Sequence, residues 1–445
     1  MIGPIEKQSK WYEGSAIMIK SGVIAVMILA LLIPSAWIQD LVTEREGYQQ
    51  GMVKQVSNEW AGDQTIQGPV LAIPYKLSIE ETDANKKTTT HDEINMLYVL
   101  PQNLKIKADV KGKSMSRGVY DAIVYNSKID LQGDFPVPDL KALGIDEATV
   151  LYDKARLVFG VTDMNGLKNT PVIKIAGQDY TTEPAATGHN PFANGLQARF
   201  ALQKGQGFAF SYQLDLRGSN NLQFLHTGKT TDVEVNSDWA HPNFDNRTPD
   251  NSNITDKGFT ANWRMSYFKR PFPQQWAGDD SVLAAGKSRA QATFGVRLQL
   301  PIDQYRKVMR TTKYSTLVIL LTFVSLFLTE LIRKKRIHLF NYALIGAAMI
   351  VYYTLLLSFS EQLGFNWSYL ISSAATIALI AWFTGSLLKN GSAAALFAGI
   401  LTVFYGFIYV LVQLEELSLM VGSLALFIVV AALMYFSRRI NFEQH

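Results

Sequence analysis

The chain of 445 residues contains no cysteine and only six histidines. The absence of cysteine excludes disulfide scaffolds and all thiol chemistry, but a domain of ordinary size can fold on its hydrophobic core alone, so export is not excluded. The sequence also lacks H-E-x-x-H and G-x-S-x-G motifs and a glycine-rich phosphate loop. We therefore predict a protein that is not an enzyme and has no cofactor.

Charged residues are scarce in six apolar stretches, each of about 20 residues, the length that an α-helix needs to cross a bilayer. The predicted transmembrane helices are residues 21–38, 315–332, 340–359, 367–388, 393–414 and 417–436. The fold class is therefore a polytopic α-helical membrane protein, with one helix before a large domain and five consecutive helices after it. The first helix is predicted to be a retained signal anchor, because "LLIPSAWIQDL" has no A-x-A cleavage site.

Basic residues are missing from two loops between these helices, "SEQLGFN" and "LEEL". All basic residues outside the large domain fall on the other side, which the positive-inside rule assigns to the cytoplasm. Residues 1–20 and 437–445 are then cytoplasmic, and residues 39–313 are periplasmic in a bacterial inner membrane. The net charge of +4 comes from the cytoplasmic edge. It suits contacts with anionic membrane lipids and implies no nucleic-acid partner. The basic residues are Lys7, Lys10, Lys20, Arg333, Lys334, Lys335, Arg336, Lys389, Arg438 and Arg439.

Residues 39–313 have mainly β-strand patterns. In "LKIKADVKG" the apolar Leu104, Ile106 and Val110 alternate with charged residues, which is typical of a half-buried strand. Similar runs are "ARLVFGV", "FAFSYQLDLRG", "KTTDVEVNSDW", "FTANWRMSYF" and "QATFGVRLQL". We predict a β-rich, sandwich-like domain of two packed sheets. The expected helical pieces are "MSRGVYDAIVYNS" and "VPDLKALG", and "GPVLAIPY" is expected at a sheet edge or a strand end.

The segment "SDWAHPNFDNRTP" is the strongest metal-site candidate in this domain. It brings Asp238, His241 and Asp245 close together in the sequence. A polar loop that Trp239 and Phe244 anchor to the core explains the same residues, and we favour this interpretation.

Two adjacent glutamates, Glu415 and Glu416, lie between apolar runs near the C-terminus. A carboxylate in the bilayer centre is costly, so we place the pair at an outer turn that divides the apolar region into two helices. Glu361 occupies the other predicted outer turn. The glutamates either keep these turns in water or form a cation or proton site. We also hypothesise that Arg306 or Lys307 docks on them and couples the large domain to the helices.

Within the predicted helices, Tyr352, Tyr353, Tyr405 and Tyr409 are the main polar groups. Hydrogen bonding between helices explains them more simply than a role in lining a transport path. No proline interrupts the last five helices, and the acidic residues lie at helix ends, so the pattern favours a structural bundle over an ion-coupled carrier.

Several long strings resemble the CreD family of bacterial inner-membrane proteins: "GPVLAIPY", "SDWAHPNF", "NYALIGAAMIVYYTLLLSFSEQLGF", "YGFIYVLVQLEELSLMVGSLALF" and "MYFSRRINF". The resemblance covers nearly the whole chain. It implies a role in cell-envelope integrity, induced under envelope stress as the output of a two-component system and linked to tolerance of β-lactams and colicins. It supplies no catalytic residue and no cofactor. Gln362 stands where the family pattern leads us to expect a histidine, which weakens the case for a Glu–His pair there.

Two function classes stay open at this point. In the first, the protein is non-enzymatic, and its periplasmic domain binds an envelope protein or a cell-wall component. In the second, it is a transporter, a lipid-handling protein or a membrane enzyme that uses the outer-face glutamates. A polar cavity within the helices would favour the second class, and a tightly packed bundle would favour the first.

Overall fold

The computed structural model describes residues 4–82, 88–185, 190–284, 286–298, 304–333, 336–389 and 391–414, with 420–424, 427–428, 431 and 434 near the C-terminus. It divides into two compact units. The β-rich unit is Gly51–Pro301, and the helical unit combines Met1–Gln50 with Ile302–His445.

Six helices occur in the described part of the chain. They are α1 (Pro4–Trp60), α2 (Gly286–Ala292), α3 (Gln304–Lys313), α4 (Ser315–Arg333), α5 (Leu339–Leu388) and α6 (Gly391–Gln413). Among the described residues, four helical segments are long and apolar enough to cross a membrane, or five if α3 and α4, bent by 42°, form one broken span. The predicted sixth helix, residues 417–436, lies largely outside the described residues, so the count of six stays a prediction.

Helix α1 continues well beyond the predicted first span. It ends at Trp60 rather than near residue 38, and the first strand starts only at Gln64. The last turns of α1 supply Val53, Val56 and Trp60 to a small apolar cluster of the β-rich unit. Residues 39–60 are largely polar, so no apolar run in the sequence indicates this extension of the helix.

Within the helical unit, individual residues of α1 contact α4 and α5. The hydroxyls of Ser35 and Ser315 lie 2.5 Å apart, and each can donate to the other. Gly346 of α5 faces Leu31 of α1 so closely that any β-carbon at residue 346 would clash with the leucine. Small residues at these contacts let helices approach each other, as is common within membranes.

The described residues of the β-rich unit form 17 strands. They are β1 (Gln64–Thr82), β2 (Thr88–Val99), β3 (Asn103–Arg117), β4 (Tyr120–Phe135), β5 (Ala155–Val161), β6 (Val172–Ile175), β7 (Gln178–Thr181), β8 (Glu183–Pro184), β9 (Gly195–Phe200), β10 (Phe208–Ser219), β11 (Asn221–Leu225), β12 (Thr230–Ser237), β13 (Pro242–Asp245), β14 (Asn251–Thr255), β15 (Gly258–Ser266), β16 (Gln275–Ala277) and β17 (Thr293–Leu298).

These strands form two sheets that share one hydrophobic core. The nine-stranded sheet has the order β13-β17-β11-β1-β5-β9-β8, with β2 and β16 joined through β1, and the eight-stranded sheet has the order β14-β15-β12-β3-β4-β10-β6-β7. Leu71 and Phe159 from the first sheet and Ile106 and Leu214 from the second belong to the same buried cluster. In β3 the predicted alternation is confirmed, because Leu104 and Ile106 are buried and Lys105 is exposed. The β-rich fold is therefore confirmed.

Two local expectations were wrong for the same physical reason. "MSRGVYDAIVYNS" is not helical: it forms the hairpin of β3 and β4, and Gly118 adopts the positive φ of 65° at the turn. "GPVLAIPY" lies in β1, which pairs with β2, β5 and β11 inside the sheet and not at its edge. Residues 122–125 of β4 and 70–75 of β1 are buried on two faces, so these segments show no alternation of apolar and polar residues.

"VPDLKALG" forms only a single 3₁₀ turn, at Lys141–Leu143. One turn of this kind is a common connector between strands and does not amount to a helix.

The β-rich unit also contains a fully buried histidine. His226 Nε2 lies 3.1 Å from the Ser266 carbonyl oxygen, and Nδ1 lies 2.9 Å from the Thr231 hydroxyl. A neutral ring that donates from Nε2 and accepts at Nδ1 satisfies both contacts. Burial, together with the nearby charge of Arg270, lowers the pKa of His226 from 6.5 to about 4. Protonation of this ring therefore opposes folding.

We expect the fragment Gly51–Pro301, which has its own core, to fold alone and to lose stability in acid through His226. The unfolded chain takes up this proton from about pH 6.5 and the folded one only near pH 4, so the free energy of unfolding falls as pH drops between these values, by up to about 3 kcal/mol. Urea titrations from pH 7 to pH 4 measure it. The slope should decrease in His226→Asn and stay unchanged in His91→Asn, which replaces an exposed histidine. Equal slopes for all three proteins would contradict the assignment.

Candidate functional site

Helix α5 is interrupted at Gly364. This residue has φ 74° and ψ 166°, a conformation that is accessible essentially only to glycine. The break separates the apolar segments Leu339–Leu363 and Phe365–Leu388, each of which is long enough to span a membrane. Backbone groups at such a break lose their partners within the helix. Polar side chains from three helices gather around it.

Glu361 lies three residues before this break and is half-buried. Its Oε1 accepts a hydrogen bond of 3.0 Å from the hydroxyl of Tyr305, which is 1% exposed. Tyr305 belongs to α3, and α3 is part of the helical unit although the sequence analysis placed these residues in the large domain. The carboxylate is thus held by a neutral donor from α3.

Lys307, two residues further along α3, begins a chain of polar contacts. Its Nζ donates to Gln413 Oε1 at 2.9 Å, and Gln413 Nε2 donates to Asn366 Oδ1 at 2.8 Å. The Tyr409 hydroxyl donates to the same Asn366 oxygen at 3.3 Å. The Lys307 ammonium also lies 5.8 Å from the centre of the Phe365 ring. The structure therefore places one cation and two amides at the Gln413 end of α6.

The other residues of the predicted docking site are Arg306, Glu415 and Glu416. Arg306 is exposed on α3. Glu415 and Glu416 lie outside the described residues. Lys307 contacts Gln413, two positions before Glu415 in the sequence. Docking of Arg306 or Lys307 on the glutamates stays a prediction.

Aromatic rings from α5 and α6 form a cluster. The ring of Tyr352 lies 4.8 Å from those of Tyr353 and Tyr405. The Tyr369 hydroxyl, which the sequence analysis did not single out, donates to the Tyr405 carbonyl oxygen at 2.6 Å and joins α5 to α6. Tyr409 bonds to Asn366 across the same helices. Tyr369 and Tyr409 thus form interhelical hydrogen bonds, whereas the Tyr405 hydroxyl has no hydrogen-bond partner in the described part of the chain.

A groove of about 750 Å³ runs between the second half of α5 and α6. It has the size of a small-molecule site. Its surface is mainly apolar, and Asn366 and Tyr409 provide polar groups at one end. The lining residues are Asn366, Trp367, Tyr369, Leu370, Ser373, Ala374, Ile377, Ala378, Ala381, Ala398, Thr402, Tyr405, Gly406 and Tyr409. Such a groove differs from the polar cavity that ion transport would require.

A second polar cluster joins α1, α4 and α5, and the sequence analysis missed it. Glu330, which is 7% exposed, forms an ion pair with Lys20 and accepts a 3.0 Å hydrogen bond from the Tyr342 hydroxyl. Lys20 Nζ also donates to the Ile337 carbonyl oxygen at 2.5 Å. The signal in the sequence was a single glutamate inside the apolar run 315–332. The contacts are those of a buried charge that needs partners.

The loop at Asp238, Trp239 and His241 shows ordinary structural contacts. Asp238 Oδ1 accepts from the Gly112 backbone N–H at 2.8 Å, and Trp239 packs on the main core. The His241 side chain is exposed. Within the described part of the chain, no group of three histidine, aspartate or glutamate residues is arranged to hold a metal ion. The structure does not assemble Asp238, His241 and Asp245 into such a group.

Apolar helices long enough to span a bilayer, together with a large domain of two β-sheets, define a helical membrane protein with a β-rich domain. The model of the family "Inner membrane protein CreD" matches residues 16–443. The chain therefore belongs to the CreD family of inner membrane proteins, and the resemblance seen in the sequence is confirmed. The Inner membrane protein CreD of Escherichia coli (strain K12) is 28% identical over 421 residues, which are 93% of this chain and 91% of that protein.

Among solved structures, an M1 zinc metallopeptidase from Deinococcus radiodurans bound to a Tyr-Ser-Ala substrate aligns with 49% of this chain and 54% of its own. The identity is 10% and the TM-score is 0.22. So low a score carries no structural or functional argument.

We expect the Lys20–Glu330 pair to stabilise the helical unit cooperatively. Glu330→Gln leaves a partly buried cation without its counter-charge, so the thermal midpoint of the full-length protein in detergent should fall. Lys20→Gln should also lower it. The double variant should lose less than the sum of the two, with a coupling of about 1–3 kcal/mol. Lys389→Gln, at an exposed lysine, is the control. Strictly additive losses would show that the two residues do not act as a pair.

Proposed function

We propose that this protein supports cell-envelope integrity as a non-enzymatic inner-membrane protein. In this proposal the β-rich domain lies in the periplasm and binds an envelope protein or a cell-wall component, and the helices anchor it. Membership of the CreD family supports the envelope role. The distribution of lysine and arginine supports the orientation, with both termini in the cytoplasm.

The observation that carries the binding role is a large concavity on the eight-stranded sheet, lined by many charged and polar side chains. It has a volume of about 1320 Å³ and is lined by side chains from neighbouring strands that include β3, β4, β10, β12 and β15. Both signs of charge occur in it, as in the ion pairs Lys107–Glu234 at 3.6 Å and Arg264–Asp232 at 3.5 Å. Such a surface suits a polar partner that offers many hydrogen-bonding groups. Its polar lining includes Lys105, Asp130, Gln132, Lys174, Ser211, Gln213 and Asn262.

Photo-crosslinking from this concavity tests the proposal in envelope-stressed cells. A photoreactive amino acid at Gln132 or Gln213, both exposed in the concavity, should give a discrete covalent adduct. The same group at Lys141, which is exposed outside it, should not. Equal labelling from all three positions, or none from the first two, would contradict the binding role.

A periplasm-dependent phosphatase reporter should be active when fused near Asn220 and inactive near Lys334 or at His445, and the reverse pattern would refute the orientation.

The alternative class, a transporter or enzyme that uses the acidic turns, needs the charge of Glu361, Glu415 and Glu416. We expect the triple glutamine variant to reach wild-type protein level and to keep its β-lactam and colicin tolerance, because glutamine retains the polarity that a turn in water needs. Charge reversal at the glutamates that impairs tolerance, and that a reciprocal reversal at Arg306 or Lys307 partly restores, would show docking. Loss without such rescue would favour an ion or proton site.

A further inference from the structure

The groove between α5 and α6 has walls that accommodate a hydrocarbon chain. Ala374, Ala378 and Ala398 contribute small side chains, and a β-carbon added at Gly406 would meet no atom within 4 Å. Between Ala398 and Tyr409 the groove extends for about 16 Å along α6, at 1.5 Å per residue. The groove is therefore a long, narrow and apolar space.

The described part of the C-terminal segment lies on another face of α6. A β-carbon at Gly422 would lie 3.5 Å from Leu411. At 100° per residue, Leu411 points about 200° away from Tyr409, which lines the groove. Gly422 thus lies on the side of α6 opposite Tyr409, and none of the described residues 420–424 lines the groove.

One end of the groove offers donors for an anionic group. Asn366 and Tyr409 line this end, and Gln413 connects Asn366 to the Lys307 ammonium. An ammonium has three donors, and the Gln413 contact uses one of them. Among the described residues no carboxylate forms an ion pair with Lys307. A phosphate oxygen carries negative charge and accepts hydrogen bonds, so it is a suitable partner for the remaining donors of this ammonium.

We propose that the groove binds one glycerophospholipid, with an acyl chain between α5 and α6 and its phosphate at Lys307. The apolar walls match the chain, and the cation with its amide neighbours matches the head. The groove is then a lipid-binding site and not a transport path. The proposal does not depend on the envelope function, because it concerns the purified protein. If Lys307 binds the phosphate, Arg306 is the residue that would dock on Glu361, Glu415 and Glu416.

The test distinguishes binding of the lipid head group from binding of the acyl chains, with two lipids and four variants of the full-length protein. Native mass spectrometry of detergent-solubilised protein titrated with dioleoyl phosphatidylglycerol or with dioleoylglycerol gives the fraction that carries one lipid. Lys307→Gln should weaken the binding of phosphatidylglycerol about five- to tenfold and leave that of dioleoylglycerol unchanged. Gly406→Leu should weaken both about tenfold, because its side chain fills the groove. The controls are Lys313→Gln, an exposed lysine of α3, and Val403→Leu on the exposed face of α6.

Each result decides the proposal. Phosphatidylglycerol binding that Lys307→Gln leaves unchanged, or that Lys313→Gln reduces equally, would overturn the phosphate site. Equal binding to wild type and Gly406→Leu would overturn the groove. The chain has no cysteine, so a cysteine at Thr402 can be paired with single cysteines between residues 425 and 445. Rapid disulfide formation would show that the protein's own tail fills the groove, and would also overturn the proposal. If Gly406→Leu does not fold, Ala378→Leu fills the same space from α5.

Discussion

A hydrocarbon core offers no hydrogen-bond partners to the polypeptide backbone, and this constraint determines the helical unit. Spanning segments must be helical, so irregular backbone has to fall where water or protein can satisfy it. The conformation of Gly364 obeys this rule, because it lies between two apolar segments of α5 rather than inside one. Tyr305 and Lys307 from α3 and Gln413 from α6 bring their polar groups to the same end of the unit. The position of the polar site is thus a consequence of how the chain turns between helices.

In the β-rich unit, predictability depends on how many faces of a strand are buried. Strand β3 has one exposed face over most of its length, so its alternation was visible in the sequence. In β4, Ile123 and Tyr125 enter the main core, whereas Ala122 and Val124 pack under the end of α1. In β1, Leu71 similarly enters the main core, whereas Val70 packs in a second cluster on the opposite face. A strand that is covered on both faces has a continuous apolar sequence. The two-residue alternation that identifies a half-buried strand is then absent.

The polar residues of the helical unit show a related limit. Glu361 could be found from the sequence because it interrupts an apolar region at a turn. Glu330 was overlooked because it lies near the end of an otherwise apolar run, and only its contacts with Lys20 and Tyr342 reveal that it is buried. Tyr305 and Gln413 carry no signal of their own. Their importance arises from distances between helices that are far apart in sequence, and no single-chain pattern encodes those distances.

The chemistry of the groove bears on the two function classes that the sequence left open. Moving an ion across a bilayer requires polar or charged groups near the midplane, because a bare charge in hydrocarbon is costly. The walls between α5 and α6 instead consist mainly of alanine, leucine, isoleucine and aromatic side chains, and the polar contacts are concentrated at one end. This arrangement matches an amphiphile, which carries its own charge at one end and needs no polar path along its length.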